Sequence, residues 1–195
     1  LYNPTSQDVD LSGYELRTDV TINASNAGSW LVALTGKTIK TKGFLLIGGS
    51  NVSPTPDVPF PSSKGLNNSA GRAGARLYIV STNTTIDIVA WDPTATIGLE
   101  GSAYTAAGVT SSNPKSIERK AQSSSTQQSM AAEDTAFGNG WDTNDNPQDF
   151  VLRDIPQPQN SISAIEAPFS GPDTVAPRVL SLKTISSTQI ELQFN

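Results

Sequence analysis

The chain of 195 residues contains no cysteine and no histidine. It therefore has no thiolate nucleophile, no imidazole general base and neither of the two side chains that transition metals most often use as ligands. These absences exclude most hydrolase mechanisms and any disulfide cross-link within the chain. We predict that the protein is not an enzyme.

Long apolar runs and concentrated positive charge are also missing. No segment approaches the roughly 18 consecutive apolar residues that span a bilayer, and no basic and then apolar leader is visible, so we expect no direct membrane insertion. The 13 lysine and arginine residues are scattered through a chain with a net charge of −5. A surface that binds phosphate backbones needs such charges in a stripe or patch, so nucleic acid is not an expected partner.

What the sequence does contain is a series of short segments with strand character. They alternate apolar with polar residues, favour β-branched and aromatic side chains, and end at Gly, Pro, Asn or Asp. The segments are residues 9–17, 30–34, 43–47, 76–81, 85–91, 116–120 and 148–153. Seven or so short strands separated by turns predict an all-β protein, either a sandwich or a barrel.

Two of these segments are expected to lie in the interior. Residues 85–91 carry apolar side chains on both alternating faces, which predicts a central strand. Residues 43–47 form a continuous apolar run that ends in Gly48 and Gly49, and paired glycines permit the positive φ of a sharp turn. Within the first strand segment, Gly13 is expected to permit a bulge or a tight bend.

Two other segments interrupt the strand pattern. Residues 48–74 are punctuated by Pro and Gly and predict a long connection, which Phe60 and Leu66 are expected to hold in place. Residues 122–137 are rich in Ser, Gln and Ala and contain no Gly or Pro. The pattern of this second segment is compatible with either a mobile loop or one short helix.

The composition changes near the end of the sequence. Pro168, Pro172 and Pro177 fall within ten residues, so we predict a linker over residues 167–178. Beyond it, residues 179–195 hold two alternating segments with a short turn between them. A two-stranded hairpin is marginally stable in water on its own, so we expect this one either to open a further domain or to dock on the first.

Seven motifs occur in an order that is found in one known family. They are Tyr2-Asn-Pro4, Val9-Asp-Leu-Ser-Gly13, Lys42-Gly-Phe-Leu-Leu-Ile47, Gly65-Leu-Asn-Asn-Ser-Ala-Gly71, Asp87-Ile-Val-Ala-Trp91, Ser116-Ile-Glu-Arg119 and Asp149-Phe-Val151. Together they resemble the bacterial lamin tail domain, an immunoglobulin-like module.

This resemblance implies an immunoglobulin-like β-sandwich of about 7–9 strands with long loops over residues 1–166. It implies a module without catalytic residues or cofactor, found in secreted or surface-attached bacterial proteins. Such domains usually begin with a strand before the Tyr2-Asn-Pro4 turn, so the first strand is expected to be truncated here. Residues 179–195 resemble the opening hairpin of a bacterial Ig-like repeat in surface-layer and adhesin-type proteins.

One acidic segment has the pattern of a calcium loop. Oxygen-bearing side chains alternate along it and a carboxylate follows, at Asp142, Asn144, Asn146 and Asp149. However, Pro147 takes the place where such a loop has glycine, and Arg153 takes the place of its closing glutamate. The favoured interpretation is that these Asp and Asn side chains cap turns through nearby backbone groups, with a calcium site as the alternative.

Other candidate site residues are weaker. Glu100, Glu118 and Glu133 are carboxylates available for glycoside hydrolysis, but none occurs in a recognisable setting. Trp30 and Trp141 lie next to glycine or polar turn residues, which makes them candidates for stacking on a sugar ring.

Two hypotheses for function follow. The first is a non-catalytic structural or interaction module of a bacterial secreted or cell-surface multidomain protein, whose partners are other protein domains or cell-envelope components. The second is a carbohydrate-binding accessory module of a secreted enzyme, with glycans as ligands. Fold alone does not decide between them.

Overall fold

The computed structural model describes residues 1–18, 30–66, 74–91, 99–105, 115–171, 179–186 and 189–194, the last two ranges by their backbone only. The described elements are mostly strands with little helix, so the predicted all-β class is confirmed. The strands are β1 Val9–Asp10, β2 Tyr14–Arg17, β3 Leu31–Ala33, β4 Thr38–Ile39, β5 Ile47–Gly48, β6 Val58–Pro59, β7 Gly74–Ile79, β8 Thr84–Ala90, β9 Ser116–Arg119, β10 Phe137–Gly138, β11 Phe150–Arg153, β12 Ala167–Pro168, β13 Val179–Ser186 and β14 Gln189–Phe194. The helical elements are the 3₁₀ turns Ser129–Ala131 and Glu133–Ala136 and the single turn α1 Asn146–Asp149.

A four-stranded antiparallel sheet is the largest layer among the described strands, with the order β3-β2-β7-β8. Leu16 lies opposite Leu77 in its register. The buried ring of Tyr78 is covered by two guanidinium groups, with Arg17 at 3.7 Å and Arg76 at 4.7 Å from the ring centroid. Cation–π contacts of this kind let charged side chains cover an aromatic ring that would otherwise face water.

The main hydrophobic core lies where the small sheets meet the four-stranded sheet. In these small sheets β1 pairs antiparallel with β4, and β5 pairs parallel with β6. The buried side chains of this core are Leu11, Leu34, Ile39, Leu45 and Val58. They come from five separate short segments, so the core depends on contacts between residues that are distant in sequence.

A second core lies under the later strands. Strand β9 pairs antiparallel with β11, and β10 pairs parallel with β12. Ala121, Met130 and Val151 are buried together there, with Phe137 packed against them. The ring of Phe137 also meets Phe169 edge to face at 5.1 Å.

Most of the predicted strand segments are confirmed, but two details are wrong. Among the described strands, β8 is at the edge of its sheet instead of the centre. The Tyr104 amide donates to the Ala90 carbonyl at 2.7 Å, so a loop bonds to the end of β8. Gly48 belongs to strand β5, and neither it nor Gly49 has a positive φ, whereas Gly13 does, at 86° in the bend between β1 and β2.

The two interrupting segments are partly ordered by contacts. Phe60 packs against Trp30 with ring centroids 4.9 Å apart, as expected, whereas Leu66 is 51% exposed. Residues 67–73 of that connection lie outside the described residues. Residues 122–137 form neither a mobile loop nor one helix, because they contain two short 3₁₀ turns and then enter β10.

The last two strands form the predicted hairpin. Strands β13 and β14 pair antiparallel, with Leu182 opposite Leu192. The predicted linker begins in ordered structure, since Ala167 and Pro168 pair with β10. Residues 172–178 of the linker lie outside the described part of the chain.

Candidate metal centre

Two chain segments that are distant in sequence meet at one acidic site. The backbone carbonyl of Glu100 accepts two hydrogen bonds from Asn146, one from the backbone amide at 3.1 Å and one from Nδ2 at 3.0 Å. These bonds fix the loop that contains Glu100 against α1. Gly101 permits this close approach, since its φ is +65° and an added Cβ would lie 3.1 Å from the Asp145 Cα.

The turn α1 places Asp149 at the centre of the site. Proline is tolerated in the first turn of a helix because its missing N–H would have no intrahelical partner there, and Pro147 occupies such a position. The fully buried Asp149 side chain accepts hydrogen bonds from the Thr143 amide at 2.9 Å, the Thr143 hydroxyl at 2.7 Å and the Asp145 amide at 3.1 Å. The loop before α1 is therefore wrapped around this carboxylate.

Asp142 lies at the outer side of the same loop. Its Oδ1 accepts the Asn144 amide at 3.0 Å, which is an Asx turn, and Asn144 has a left-handed φ of 58°. The turn-forming bonds that the favoured sequence interpretation requires are therefore present. They leave open whether the same carboxylates also hold a cation.

Glu100, Asp142 and Asp149 converge. Each offers a carboxylate oxygen, and the three oxygens lie within 4.8 Å of one another. Among the described residues, two buried side-chain oxygens have no hydrogen-bond partner, namely Glu100 Oε2 and Asn146 Oδ1. Glu100 is itself one of the three carboxylates, and Asn146 is hydrogen-bonded to its backbone carbonyl, so both unpartnered oxygens belong to residues of this site.

Arg119 of β9 joins this site to the four-stranded sheet. Its Nη2 lies 2.5 Å from an Asp87 oxygen in β8, while its Nη1 lies 3.3 Å from Asp142 and 3.7 Å from Asp149. Its guanidinium also packs over the Phe150 ring at 4.6 Å. Arg119 is therefore paired most closely with Asp87.

The electrostatics of the site are dominated by surplus negative charge. Burial, with the nearby charges of Asp87 and Asp142, raises the pKa of Glu100 to about 7 against the opposing charge of Arg119. Burial also raises the pKa of Asp87, and the Arg119 charge opposes that shift. When all four carboxylates are ionised, the single guanidinium leaves three negative charges unbalanced, so the site favours an additional positive charge.

The structure brings together only some of the residues that the sequence predicts. Asp142 and Asp149 lie in the cluster and Asn146 lies beside it, whereas Asn144 is exposed at the turn. Glu100 was proposed only as one of three possible acid or base groups. The missed signals are two charged residues inside predicted strands, Asp87 and Arg119, since each requires a partner when it is half-buried.

The other predicted site residues have separate surroundings. Glu118 pairs with Arg153 at 2.7 Å, and Glu133 is exposed in a 3₁₀ turn. Trp30 is half-buried, and its Nε1 donates to the Gly65 carbonyl at 3.0 Å. Trp141 is half-buried next to Asp142, and its backbone carbonyl accepts from Arg119 at 3.2 Å.

Comparison with family models, with curated proteins and with solved structures gives no match to this chain. The resemblance to the lamin tail domain therefore stays a prediction. Within the described ranges, the chain contains no helix with the length and apolar character needed to cross a bilayer.

Proposed function

We propose that the chain is part of a non-catalytic structural or interaction module in a bacterial secreted or cell-surface multidomain protein. Residues 1–166 would form an immunoglobulin-like sandwich of the lamin tail type, and the hairpin would open a further Ig-like domain. Its partners would be other protein domains or cell-envelope components.

The arrangement of the last two strands is the observation that carries this proposal. Among the described strands, β13 and β14 pair only with each other, while β1 to β12 make up the other sheets. A two-stranded sheet rarely stays folded alone, because it buries too little apolar surface. A hairpin in its own sheet after a proline-rich segment is typical of a chain that continues from one module to the next.

The contacts of the buried charged residues support a structural role and not a catalytic one. Arg153 is 3% exposed and bonded to Glu118, and Arg119 is shared among carboxylates. Asp57 accepts the Leu46 amide at 2.8 Å and the Ser161 amide at 2.9 Å. These groups tie segments of the fold together, as polar groups in a rigid module do.

Surface labelling of the producing bacterium tests the proposal. Antibody against the purified chain should stain intact cells or detect the protein in the medium, and protease added to intact cells should remove any cell-bound signal. A cytoplasmic marker should stay protected in the same samples. Signal that appears only after the cells are permeabilised would contradict the proposal, and so would hydrolysis of ester or glycoside substrates by the purified chain above the buffer rate.

The carbohydrate-binding alternative depends on Trp30 and Trp141. One side of the Trp30 ring is already packed against Phe60, and both tryptophans are half-buried. A glycan array separates the two hypotheses: binding that is abolished by Trp141→Ala would favour the carbohydrate module. Absence of binding on the array leaves the structural module as the better supported proposal.

A further inference from the structure

We propose that Glu100, Asp142 and Asp149, together with the amide oxygen of Asn146, bind a calcium ion. Such a site would hold the loop around Glu100 against α1. The calcium-site proposal does not depend on the proposed cell-surface location of the protein.

The distances fit the coordination sphere of this ion. Oxygen ligands lie about 2.3–2.6 Å from calcium, so two of them on one ion are separated by at most about 5 Å. The oxygens of Glu100, Asp142 and Asp149 are within 4.8 Å of one another. An ion centred between them would lie at most about 2.8 Å from each oxygen, so side-chain shifts of a few tenths of an ångström bring all three into contact with it.

The unpartnered oxygens are a second and independent indication. Asn146 is fully buried, its Nδ2 is fixed on the Glu100 carbonyl, and its Oδ1 has no hydrogen-bond partner. Asn146 and Asp149 are three residues apart on α1, which places their side chains on one face of the turn. A buried amide oxygen without a partner destabilises the fold, and a cation at this face would satisfy both it and Glu100 Oε2.

The donor set selects the kind of cation. All four donors are oxygens from carboxylates and an amide, and the chain has no histidine or cysteine to favour zinc or copper. Calcium accepts six to eight oxygens in flexible geometry, whereas magnesium requires a near-ideal octahedron. The cluster is built from a surface turn and a separate loop, and such an arrangement suits the flexible coordination of calcium better than the octahedral coordination of magnesium.

Arg119 lowers the affinity of the site without replacing the cation. Its closest carboxylate is Asp87 at 2.5 Å, and its distances to Asp142 and Asp149 are 3.3 and 3.7 Å. Its single charge leaves the cluster negative, and a nearby positive charge weakens binding of a second cation. We therefore expect a Kd of roughly 10⁻⁴–10⁻³ M, as in extracellular calcium modules.

Calorimetry and thermal unfolding of the chelator-treated chain test the site. Calcium should give one binding event per chain and, at about 10 mM, should raise the Tm by about 3–10 °C. Asp142→Ala and Glu100→Gln should each weaken binding about tenfold or more, whereas Glu133→Gln should bind like the unaltered chain. Glu133 is the matched control because it is an exposed acidic residue in a 3₁₀ turn outside the cluster.

Terbium luminescence supplies a second measurement. Terbium is a calcium substitute, and Trp141 next to Asp142 should sensitise its emission until excess calcium displaces it. Circular dichroism of each variant shows whether it is folded. If Glu100→Gln does not fold, Asp142→Ala decides the outcome, because its side chain is 43% exposed.

Several results would overturn the calcium site. They are no heat and no change of Tm for the unaltered chain in calcium, equal binding by all three variants, and an equal response to magnesium or to sodium chloride at matched ionic strength.

Discussion

The packing of Tyr2 against Gly138 gives a sharp prediction about the core of the fold. Gly138 is buried in β10, and a Cβ added to it would lie 2.6 Å from Tyr2 Cε2 and still closer to Cζ and Oη. Tyr2 cannot move aside easily, since its ring packs on Phe44 at 5.1 Å and its hydroxyl donates to the Glu166 carbonyl at 2.6 Å. Gly138→Ala should therefore overpack this contact.

The expected loss of stability can be worked out from these contacts. Overpacking of a filled core costs about 1–3 kcal/mol, and displacement of the tyrosine hydroxyl loses a hydrogen bond worth about 1 kcal/mol. We expect Gly138→Ala to lower the free energy of unfolding by about 2–4 kcal/mol. With a urea m-value of about 2 kcal/mol/M, the midpoint should fall by about 1–2 M.

Urea unfolding followed by tryptophan fluorescence is the assay. The three tryptophans are Trp30, Trp91 and Trp141, so the signal comes from the part of the chain that precedes the hairpin. The matched control is Gly140→Ala, because a Cβ there would lie 3.5 Å from Tyr2 Cε1, an ordinary van der Waals contact. Neither Gly138 nor Gly140 has a positive φ, so backbone strain does not distinguish them.

A double mutant separates the clash from any other effect. In a Tyr2→Ala background the ring is gone, so adding Gly138→Ala should change stability by less than about 0.5 kcal/mol. The reasoning is refuted if Gly138→Ala alone unfolds at the same urea concentration as the unaltered chain. It is also refuted if the alanine is equally destabilising with and without Tyr2.

Three further predictions concern buried polar groups, each measured by urea unfolding. Asn3 is 3% exposed and its amide donates to three backbone carbonyls, so Asn3→Asp should cost about 1–3 kcal/mol because it removes the donor. Burial raises the pKa of Asp57, but hydrogen bonds from the Ser161 hydroxyl and from the Leu46 and Ser161 amides outweigh it and hold the pKa below 3.8. The stability that Asp57→Asn removes should therefore be largest above that pH and vanish as the pH falls through the folded-state pKa. Arg153 is 3% exposed and paired with Glu118 at 2.7 Å, so Arg153→Met should cost about 3–5 kcal/mol, and a loss below about 1 kcal/mol would contradict the importance of that pair.

Local patterns identified the strands but not their neighbours. Strands β2, β7, β9 and β11 fall within the predicted segments or a residue or two from them, because alternation along a strand is a local property. The position of β8 was wrong because apolar residues on both faces show burial and not what covers each face. The backbone bond from Tyr104 to Ala90 is likewise a contact that no strand pattern predicts.

Three of the four proposed donors could be found from the sequence. The calcium-like spacing indicated Asp142, Asn146 and Asp149, which lie in one short segment. Glu100 is 42 residues before Asp142 and joins the site through hydrogen bonds from Asn146. No local pattern predicts a contact of that kind, because it depends on how the loops pack.

The charges around Arg119 link the proposed calcium site to the fold as a whole. An ion pair between Asp87 and Arg119 would be enough to join β8 to β9, and the desolvation of further carboxylates beside it opposes folding. Glu100 and the buried Asp149 add such carboxylates, so the negative charge of this site exceeds the single positive charge of Arg119. Since a bound cation converts that charge from a destabilising to a stabilising contribution, the unaltered chain should unfold more easily in chelator than in calcium. Asp142→Ala should reduce this difference, because it removes both part of the repulsion and one ligand.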